Sequence, residues 1–164
     1  MPQVVEEIGG GVDFVILDTV HALPGEVLDF LAVLPYLTDD ALVVLHDVAL
    51  NQYKMQYPFL YATSVLFSAV TADKFLNFQG DEELFHYPNI AAFKVNDQTA
   101  ANIENVFLTL IPRWIVLPTE EQVIIYRKHY RRFYADALCD IFQEAVDMNA
   151  YNLWAAQQNR QCSN

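Results

Sequence analysis

Two unbroken apolar runs, with a helical pattern between them, organise the first third of the chain. They occupy residues 12–17 and 41–45, and polar residues follow at once, Asp18 after the first run and His46-Asp47 after the second. Unbroken runs rich in valine and leucine are typical of strands buried on both faces of a parallel sheet. Between the runs, Pro24-Gly25 precedes apolar residues spaced three and four apart, which predicts a helix: Val27, Leu28, Leu31, Leu34 and Leu37.

A strand, a helix and a second strand of these lengths form a right-handed crossover, in which the two strands run parallel. Their carboxyl ends therefore lie side by side, at the edge of an open α/β sheet where ligands bind. We expect four polar residues to meet at this edge: Asp18, His21, His46 and Asp47.

The rest of the chain shows further helical and strand patterns. Residues 59–70 predict a buried helix, residues 72–88 a loop with a short strand or turn, and residues 89–95 a third strand. A helix is predicted over 99–110, ended by Pro112. Thr119 with Gln122 forms a capping-box pattern, which predicts a helix to residue 134, and a further helical pattern covers 135–158. Residues 1–10 lead into a glycine run and predict a turn or linker, since a phosphate-binding loop needs a strand before its glycines.

Composition excludes several classes of protein. Of the 164 residues, 54% are hydrophobic, which excludes a disordered chain and allows one sizeable core. The net charge is −12, and residues 1–112 hold fifteen acidic and three basic residues, so we expect no nucleic-acid partner. No apolar run approaches the roughly 20 residues that cross a bilayer, and no signal peptide is evident. We therefore expect a cytoplasmic protein without a membrane partner.

The two cysteines and the other histidines favour structural roles. Cys139 and Cys162 form neither a zinc pattern nor a disulfide framework, and Cys139 lies on an apolar helix face as a small core residue. His129 lies in the basic segment 127–132, near acidic residues, which is typical of a solvated, salt-bridged helix face. His86 is predicted to lie in a loop. The aromatic run over 53–67 favours core packing and is also a candidate lining for a substrate pocket.

The four residues at the predicted sheet edge each have an ordinary structural interpretation when taken alone. An aspartate at a strand end caps the next turn, and a histidine in such a loop covers the sheet edge. Together they bring two carboxylates and two imidazoles to adjacent strand ends, and these groups are ligands for a divalent cation. Imidazole is also the usual general base near neutral pH. The convergence therefore favours a functional site.

A longer motif runs through both strands and the helix between them, over residues 13–48: DFVILDTVHALPGEVLDFLAVLPYLTDDALVVLHDV. It resembles the second half of class I S-adenosylmethionine-dependent methyltransferases. In a group related to sugar and macrolide O-methyltransferases, strands four and five read roughly D-x-x-x-I-D-G-D-H-x-Y-E-G and P-G-G-x-I-x-x-H-D-V. Asp18 and His21 match the first terminal acid and the histidine of this pattern, and His46-Asp47-Val48 match its end.

The resemblance implies a fold and a role for each of the four residues. Asp18, His46 and Asp47 would hold a divalent metal such as magnesium, and His21 would be the base that deprotonates an acceptor hydroxyl. S-adenosylmethionine would be the methyl donor, and residues 89–95 one strand of the family's antiparallel final hairpin. The implied fold is α/β, an incomplete Rossmann-like sheet with a helical carboxyl-terminal segment. Residues 1–97 would be the carboxyl-terminal half of the methyltransferase domain, and residues 98–164 a helical extension packed on it.

The chain departs from the family pattern in several ways. Thr19-Val20 stand where the family has Gly-Asp, and Asp39-Asp40-Ala41 where it has Pro-Gly-Gly. His46 offers a nitrogen where the metal-binding relatives have a carboxylate. The family's first strand, glycine-rich cofactor loop and ribose-binding acid would precede Val12, so we expect a fragment whose donor site is largely missing. An incomplete sheet exposes an edge, so we also expect a homo-oligomer.

Two functions follow as hypotheses. The first is S-adenosylmethionine-dependent, metal-assisted methylation of a hydroxyl on a small-molecule substrate. The second is a non-catalytic remnant that acts as an oligomerisation or binding module. The strand ending in Asp18 also resembles the phosphoacceptor strand of a response-regulator receiver, but the upstream acidic pair and later lysine of that family are not found. A haloacid-type phosphatase needs an aspartate where Val20 stands.

Overall fold

The computed structural model of the chain is an α/β fold with one open, mixed four-stranded sheet, and it describes residues 1–53, 58–76 and 89–161. A short 3-10 helix, Leu34–Tyr36, precedes the second strand. In chain order the other elements are α1 (Pro2–Ile8), β1 (Val12–Leu17), α2 (Gly25–Val33), β2 (Leu37–His46), α3 (Leu50–Tyr53), α4 (Ala62–Ala69), β3 (Asp73–Leu76), β4 (Ile90–Lys94), α5 (Asp97–Ala101), α6 (Glu104–Leu108), α7 (Glu120–Phe133) and α8 (Asp136–Gln161).

The predicted strand–helix–strand unit is confirmed. β1 has the predicted bounds and pairs in parallel with β2, with Leu17 opposite Leu45. The helix between them, α2, begins at Gly25 as predicted but ends at Val33. The prediction that Leu34 and Leu37 belong to this helix is wrong, because Leu34 lies in the 3-10 helix and Leu37 begins β2. β2 begins earlier than predicted, at Leu37, and its register with β1 shifts before residue 42, in the stretch where Asp40 has a φ of 69°. Beyond this irregular start the pairing is regular, so both carboxyl ends lie where the sequence predicted them.

The third predicted strand is β4, and it extends the sheet on the other side of β2. The two strands are antiparallel, with Val43 opposite Phe93. β3 pairs antiparallel with β4 and lies in the segment where the sequence predicted a short strand or turn. The strand order is therefore β1-β2-β4-β3. A parallel pair followed by an antiparallel pair is compatible with a Rossmann-like fold.

Within the described residues, helices cover one face of the sheet and leave the other open. Val43 and Phe93 are fully buried, and the Phe93 ring packs edge-on against Phe30 of α2, with 5.4 Å between ring centroids. The prediction that the strands are buried on both faces is wrong here, because the described helices pack with one another on the side of α2. Side chains on the opposite face are about half exposed: Phe14, Ile16, Phe75 and Ile90.

The open face is a continuous apolar surface across all four strands. Ile16, Val44, Ala92 and Phe75 stand opposite one another in register, one from each strand. Exposed apolar surfaces of this kind often mark interaction sites. The homo-oligomer expected from the incomplete sheet stays a prediction, and light scattering on the purified chain measures it.

One linker prediction and one helix prediction are corrected, and two further helix predictions are confirmed. Residues 1–10, predicted as a turn or linker, contain α1, which has Pro2 in its first turn and is capped after Ile8 by Gly9 with a left-handed φ of 80°. The single helix predicted over 99–110 is instead α5 and α6, separated at Asn102. The predicted capping box of Thr119 and Gln122 opens α7, and both of its hydrogen bonds are present. The last predicted helix is α8.

Hydrogen bonds from side chains of α7 to carbonyl groups of α2 join these two helices. The Tyr130 hydroxyl donates to the Leu28 carbonyl at 2.8 Å. His129 donates from Nε2 to the Ala32 carbonyl at 2.9 Å. The Ala32 carbonyl is among the last of its helix, which have no partner within the helix itself. The contact therefore satisfies a group that burial would otherwise leave without a hydrogen bond.

The prediction that His129 lies on a solvated helix face is wrong. Its side chain is 1% exposed, and its ring stacks on Tyr36 with centroids 5.8 Å apart. Nδ1 lies 3.3 Å from Oε1 of Glu6, which also pairs with Arg132. The carboxylate partner thus comes from α1 rather than from the nearby acidic residues of α7 and α8, and the helix pattern alone could not show this.

Smaller predictions have mixed outcomes. Cys139 is buried, as predicted for a core residue. The helix predicted over 59–70 is confirmed as the shorter α4. His86, Cys162 and part of the aromatic run over 53–67 lie outside the described residues. None of the helices in the described ranges has the length and apolar character to cross a bilayer.

Candidate functional site

Four polar residues meet at the carboxyl ends of β1 and β2, as the sequence predicted. Asp18 directly follows β1, and His46 is the last residue of β2. Because the two strands are parallel and end level with each other, these residues are neighbours. His21 comes from the loop after β1, and Asp47 directly follows β2. We call these four residues the rim cluster.

The imidazole nitrogens of the rim cluster share two carboxylate oxygens. Nε2 of His21 lies 3.2 Å from Oδ2 of Asp47 and 3.5 Å from Oδ1 of Asp18. Nδ1 of His46 lies 3.4 Å from the same Asp18 oxygen and 3.5 Å from the same Asp47 oxygen. The structure therefore brings together all four residues that the sequence singled out.

Three members of the cluster form a set of candidate metal ligands. Asp18, His46 and Asp47 each offer one ligand atom within 4.8 Å of the others. Nδ1 of His46 is buried and makes no hydrogen bond within the described residues, so it is available to an ion. Two carboxylates and an imidazole suit ions such as Mn²⁺, Fe²⁺ or Zn²⁺. Mg²⁺ favours oxygen ligands in near-ideal octahedral geometry, so the nitrogen of His46 fits it less well.

The rim cluster is half open to solvent. The side chains of Asp18 and His46 are 53% and 41% exposed. Those of His21 and Asp47 are only 17% and 16% exposed. An ion or a small molecule can therefore approach from the side of Asp18 and His46, while the other two residues form the inner part of the cluster.

Hydrogen bonds hold the two inner residues in an uncommon backbone conformation. His21 and Asp47 have φ values of 56° and 59°, in the left-handed region that few residues other than glycine adopt. The His21 amide donates to Oε1 of Glu26 at 2.7 Å, and its carbonyl accepts from the Ala62 amide at 2.9 Å. The Asp47 carbonyl accepts from the Leu50 amide at 3.2 Å. Residues held in such conformations cluster at functional sites.

Two residues that contact the rim cluster were not singled out from the sequence. Oε1 of Glu26 lies 3.2 Å from Nδ1 of His21. Asn89, just before β4, donates a side-chain hydrogen bond to Oδ1 of Asp47. Glu26 lies in the first turn of a helix, where an acid is ordinarily explained by its interaction with the helix dipole. Its position five residues after His21 was therefore the only feature of the sequence that could have indicated a contact between them. Asn89 is far from Asp47 in the chain, and only the pairing of β4 with β2 brings it there.

A small cavity adjoins the loop that follows Asp18. Its volume is about 180 Å³, and Thr19, Asp29 and Tyr126 are among the residues that line it. The Tyr126 hydroxyl donates to Oδ1 of Asp29 at 2.9 Å. Burial raises the pKa of the Asp29 carboxyl, and burial together with the neighbouring Asp29 raises the pKa of Tyr126. This pair is a second polar feature beside the rim cluster.

Comparison of the chain with protein-family models, curated proteins and solved structures finds no match. The observations that bear on function are therefore the strand order of the sheet and the chemistry of the rim cluster. Both concern the same place in the fold, because the parallel pair β1 and β2 carries the cluster at its carboxyl ends.

Proposed function

We propose that this chain carries the acceptor side of a class I S-adenosylmethionine-dependent methyltransferase and supports metal-assisted O-methylation of a small hydroxylated substrate. The observation that carries the proposal is the rim cluster, in which two imidazoles and two carboxylates lie 3.2–3.5 Å apart. It lies at the carboxyl ends of parallel strands, the place where open α/β sheets bind ligands.

The topology of the sheet supports the proposal. The family resemblance implies two adjacent parallel strands followed by an antiparallel hairpin. The strand order β1-β2-β4-β3, with β2 antiparallel to β4, has this arrangement. The open apolar face also agrees with the implied fold, in which helices pack on both faces of the sheet.

Asp18, His46 and Asp47 would hold a divalent ion. Such an ion polarises a bound hydroxyl and makes its proton easier to remove. The mixed nitrogen and oxygen ligands favour a transition metal over the magnesium that the resemblance implies. Asp18 and Asp47 would also place the acceptor beside the base, because each has an oxygen that faces Nε2 of His21.

His21 would act as the general base. Its Nε2 faces the two carboxylates of the rim cluster, so a hydroxyl placed there could pass its proton to this nitrogen. When bound, S-adenosylmethionine supplies a methyl group on a sulfonium that is already a good leaving system. The described glycines do not fit its cradle, since Gly9, Gly10 and Gly11 follow a helix and precede a strand. The roles proposed here therefore concern the acceptor side alone.

Isothermal titration calorimetry with Mn²⁺, Zn²⁺ and Mg²⁺ tests the metal site. We expect saturable binding of Mn²⁺ or Zn²⁺ by the 164-residue chain, and affinity at least about tenfold weaker in Asp18→Asn, because a ligand is lost. Asp40→Asn is the matched control, since Asp40 precedes the regular part of β2 and pairs with Lys94. Equal affinity in Asp18→Asn and Asp40→Asn would show that the ion binds elsewhere.

Calorimetry with S-adenosylmethionine distinguishes the two functional hypotheses. Heat of binding or a thermal shift with the methyl donor would support the methyltransferase. If neither occurs, the non-catalytic binding or assembly module is favoured. Where the donor binds, His21→Ala should abolish turnover and leave the fold intact, and undiminished turnover would refute the role of His21 as base.

A further inference from the structure

A cavity of about 410 Å³ lies where α7 packs against α8 and the segment that leads into α7. Its wall is mostly apolar and includes Trp114, Leu117, Val123 and Val146. The cavity is larger than the one beside the loop after Asp18, and its volume lies in the range of small-molecule sites. No residue of the rim cluster lines it. We call it the helix cavity.

Hydrogen bonds fix the tryptophan wall of the helix cavity in place. The amide of Trp114 donates to Oδ1 of Asn149, and its indole nitrogen donates to the Leu110 carbonyl, both at 2.7 Å. Asn149 is itself buried and donates to the Ala145 carbonyl at 2.8 Å. Both donors of Trp114 are therefore occupied, so its ring offers the cavity an apolar surface that is already formed before anything binds.

Arg127 supplies the positive charge of the helix cavity. Its side chain is half-buried and lines the cavity. Nε is buried without a hydrogen-bond partner, and the guanidinium forms no ion pair with any described carboxylate. A buried N–H without an acceptor is costly. A guanidinium binds a carboxylate through two parallel hydrogen bonds, so an anionic oxygen acceptor is the group that the helix cavity lacks.

Two acids that also line the helix cavity limit the charge that can bind there. The side chains of Glu120 and Asp147 are exposed, so solvent screens them and Arg127 keeps its positive charge. They would nevertheless repel a second negative charge at short range. Residues 113–164 hold six acidic and six basic residues, so this part of the chain lacks the acidic excess of residues 1–112. The helix cavity therefore favours one negative charge over two.

We propose that the helix cavity binds a small monocarboxylic acid with an apolar body. Its carboxylate pairs with the guanidinium of Arg127 and satisfies the buried Nε. Its apolar body packs against Trp114 and Val146 and is removed from water there. This site goes beyond the proposed function, because it uses neither the rim cluster nor the metal or methyl donor that the rim cluster would serve.

Isothermal titration calorimetry with octanoate and octanamide tests the proposal. The two probes have the same apolar chain and differ in charge. We expect saturable binding of octanoate at one site, at least about tenfold tighter than that of octanamide, because only octanoate pairs with the arginine. Octyl phosphate, which carries more negative charge, should bind more weakly than octanoate. Equal affinities for octanoate and octanamide, or no saturable binding of octanoate at millimolar concentrations, would overturn the proposal.

A pair of arginine variants tests which charge is used. Arg127→Gln should weaken octanoate at least about tenfold and leave the affinity for octanamide unchanged. Arg131→Gln is the matched control, because it removes the same charge from an exposed side chain one turn further along α7 that does not line the cavity. Equal losses in the two variants would show a general attraction to the basic helix and would refute the site.

Tryptophan fluorescence locates the ligand. The chain has two tryptophans, so Trp154→Phe leaves Trp114 as the only one. Octanoate should change the Trp114 emission with the dissociation constant that calorimetry gives. Ala150→Phe places a ring at an exposed position that lines the cavity, and it should weaken both octanoate and octanamide. Circular dichroism checks that each variant is folded. Saturation without a change in Trp114 emission would place the ligand elsewhere, for example on the open face of the sheet, and would overturn the proposal.

Discussion

His21 and His129 both lie beside carboxylates, yet they belong to regions that are built differently. Three carboxylates lie within 3.5 Å of the His21 ring, which comes from a loop residue with positive φ at the edge of the sheet. His129 lies within a helix, with one carboxylate, one backbone carbonyl, a stacked Tyr36 ring and a tilted Phe133 ring around it. At the rim cluster, polar atoms face one another and solvent. In the helical layer, where α7 packs with α1, α2 and α8, they form hydrogen bonds with groups that folding has buried.

The difference shows how the same residue type can belong to a candidate site in one place and stabilise the fold in another. His129 uses one ring nitrogen on the Ala32 carbonyl and the other on Glu6, so neither nitrogen is left for a ligand. A histidine among carboxylates at an open sheet edge can hold a proton or face an ion. We therefore expect substitutions in the helical layer to lower the free energy of unfolding, and substitutions at the rim cluster to change binding instead.

Tyr130→Ala should have the largest effect on stability. Tyr130 is fully buried, and its ring contacts Phe107 and Phe142 edge-on. Removing an aromatic ring from such a core costs about 3–5 kcal/mol of unfolding free energy. Tyr130→Phe keeps the ring and loses only the hydrogen bond to Leu28, so about 1 kcal/mol is expected. Urea unfolding followed by circular dichroism measures both, and a loss of under about 1 kcal/mol in Tyr130→Ala would contradict the assignment of this layer as the core.

His129→Leu should be the next most damaging change. The substitution keeps an apolar shape but leaves the Ala32 carbonyl buried without a donor, which costs about 1–3 kcal/mol. Lys128→Ala, at the exposed neighbouring position of the same helix, is the control. Were the two variants equally stable in urea, His129 would resemble a surface residue and the contrast with His21 would fail.

Asp29 predicts a dependence of stability on pH. Its pKa is raised above 3.8, first by burial, so the folded state favours the protonated carboxyl. The resulting stability is fully present below pH 3.8 and is lost as the pH rises through the raised pKa of the folded state. Wild type should therefore lose unfolding free energy relative to Asp29→Asn over that range. Urea titrations of both proteins across the acid range measure the difference, and parallel pH profiles would contradict the raised pKa.

Asp18→Asn should have the smallest effect on stability. Its side chain is half exposed, and such substitutions usually change unfolding free energy by no more than about 0.5 kcal/mol. The same variant should lose most of its affinity for the ion, which thermal unfolding with and without Mn²⁺ detects. If Asp18→Asn destabilised the chain as strongly as His129→Leu, the rim cluster would be a structural network rather than a binding site.

Much of the fold follows from local patterns. Unbroken apolar runs located β1 and β2, the short mostly apolar segment 89–95 located β4, and the Thr119–Gln122 pair located the start of α7. The parallel pairing of β1 with β2, and hence the meeting of the four rim residues, followed from the short helical connection between the strands. These predictions succeeded because each depends on residues close together in the chain.

Three other features depended on contacts between distant segments. The burial of His129 depends on α1 and Tyr36, the contact of Asn89 with Asp47 depends on the antiparallel pairing of β4, and the open face of Phe14 and Ile16 depends on which side the helices pack. No local pattern carries this information, because periodicity gives the face of an element but not what covers it.

By itself, the sequence determined that two parallel strands bring acids and imidazoles to one edge of a sheet, since strand length, connection length and strand-end residues are local properties. Only the tertiary structure decided which oxygen each imidazole faces, and that the buried carboxylate of Glu26 stands behind His21. Side-chain orientation and burial arise from packing across the whole fold, and that packing gives two histidines of one chain opposite surroundings.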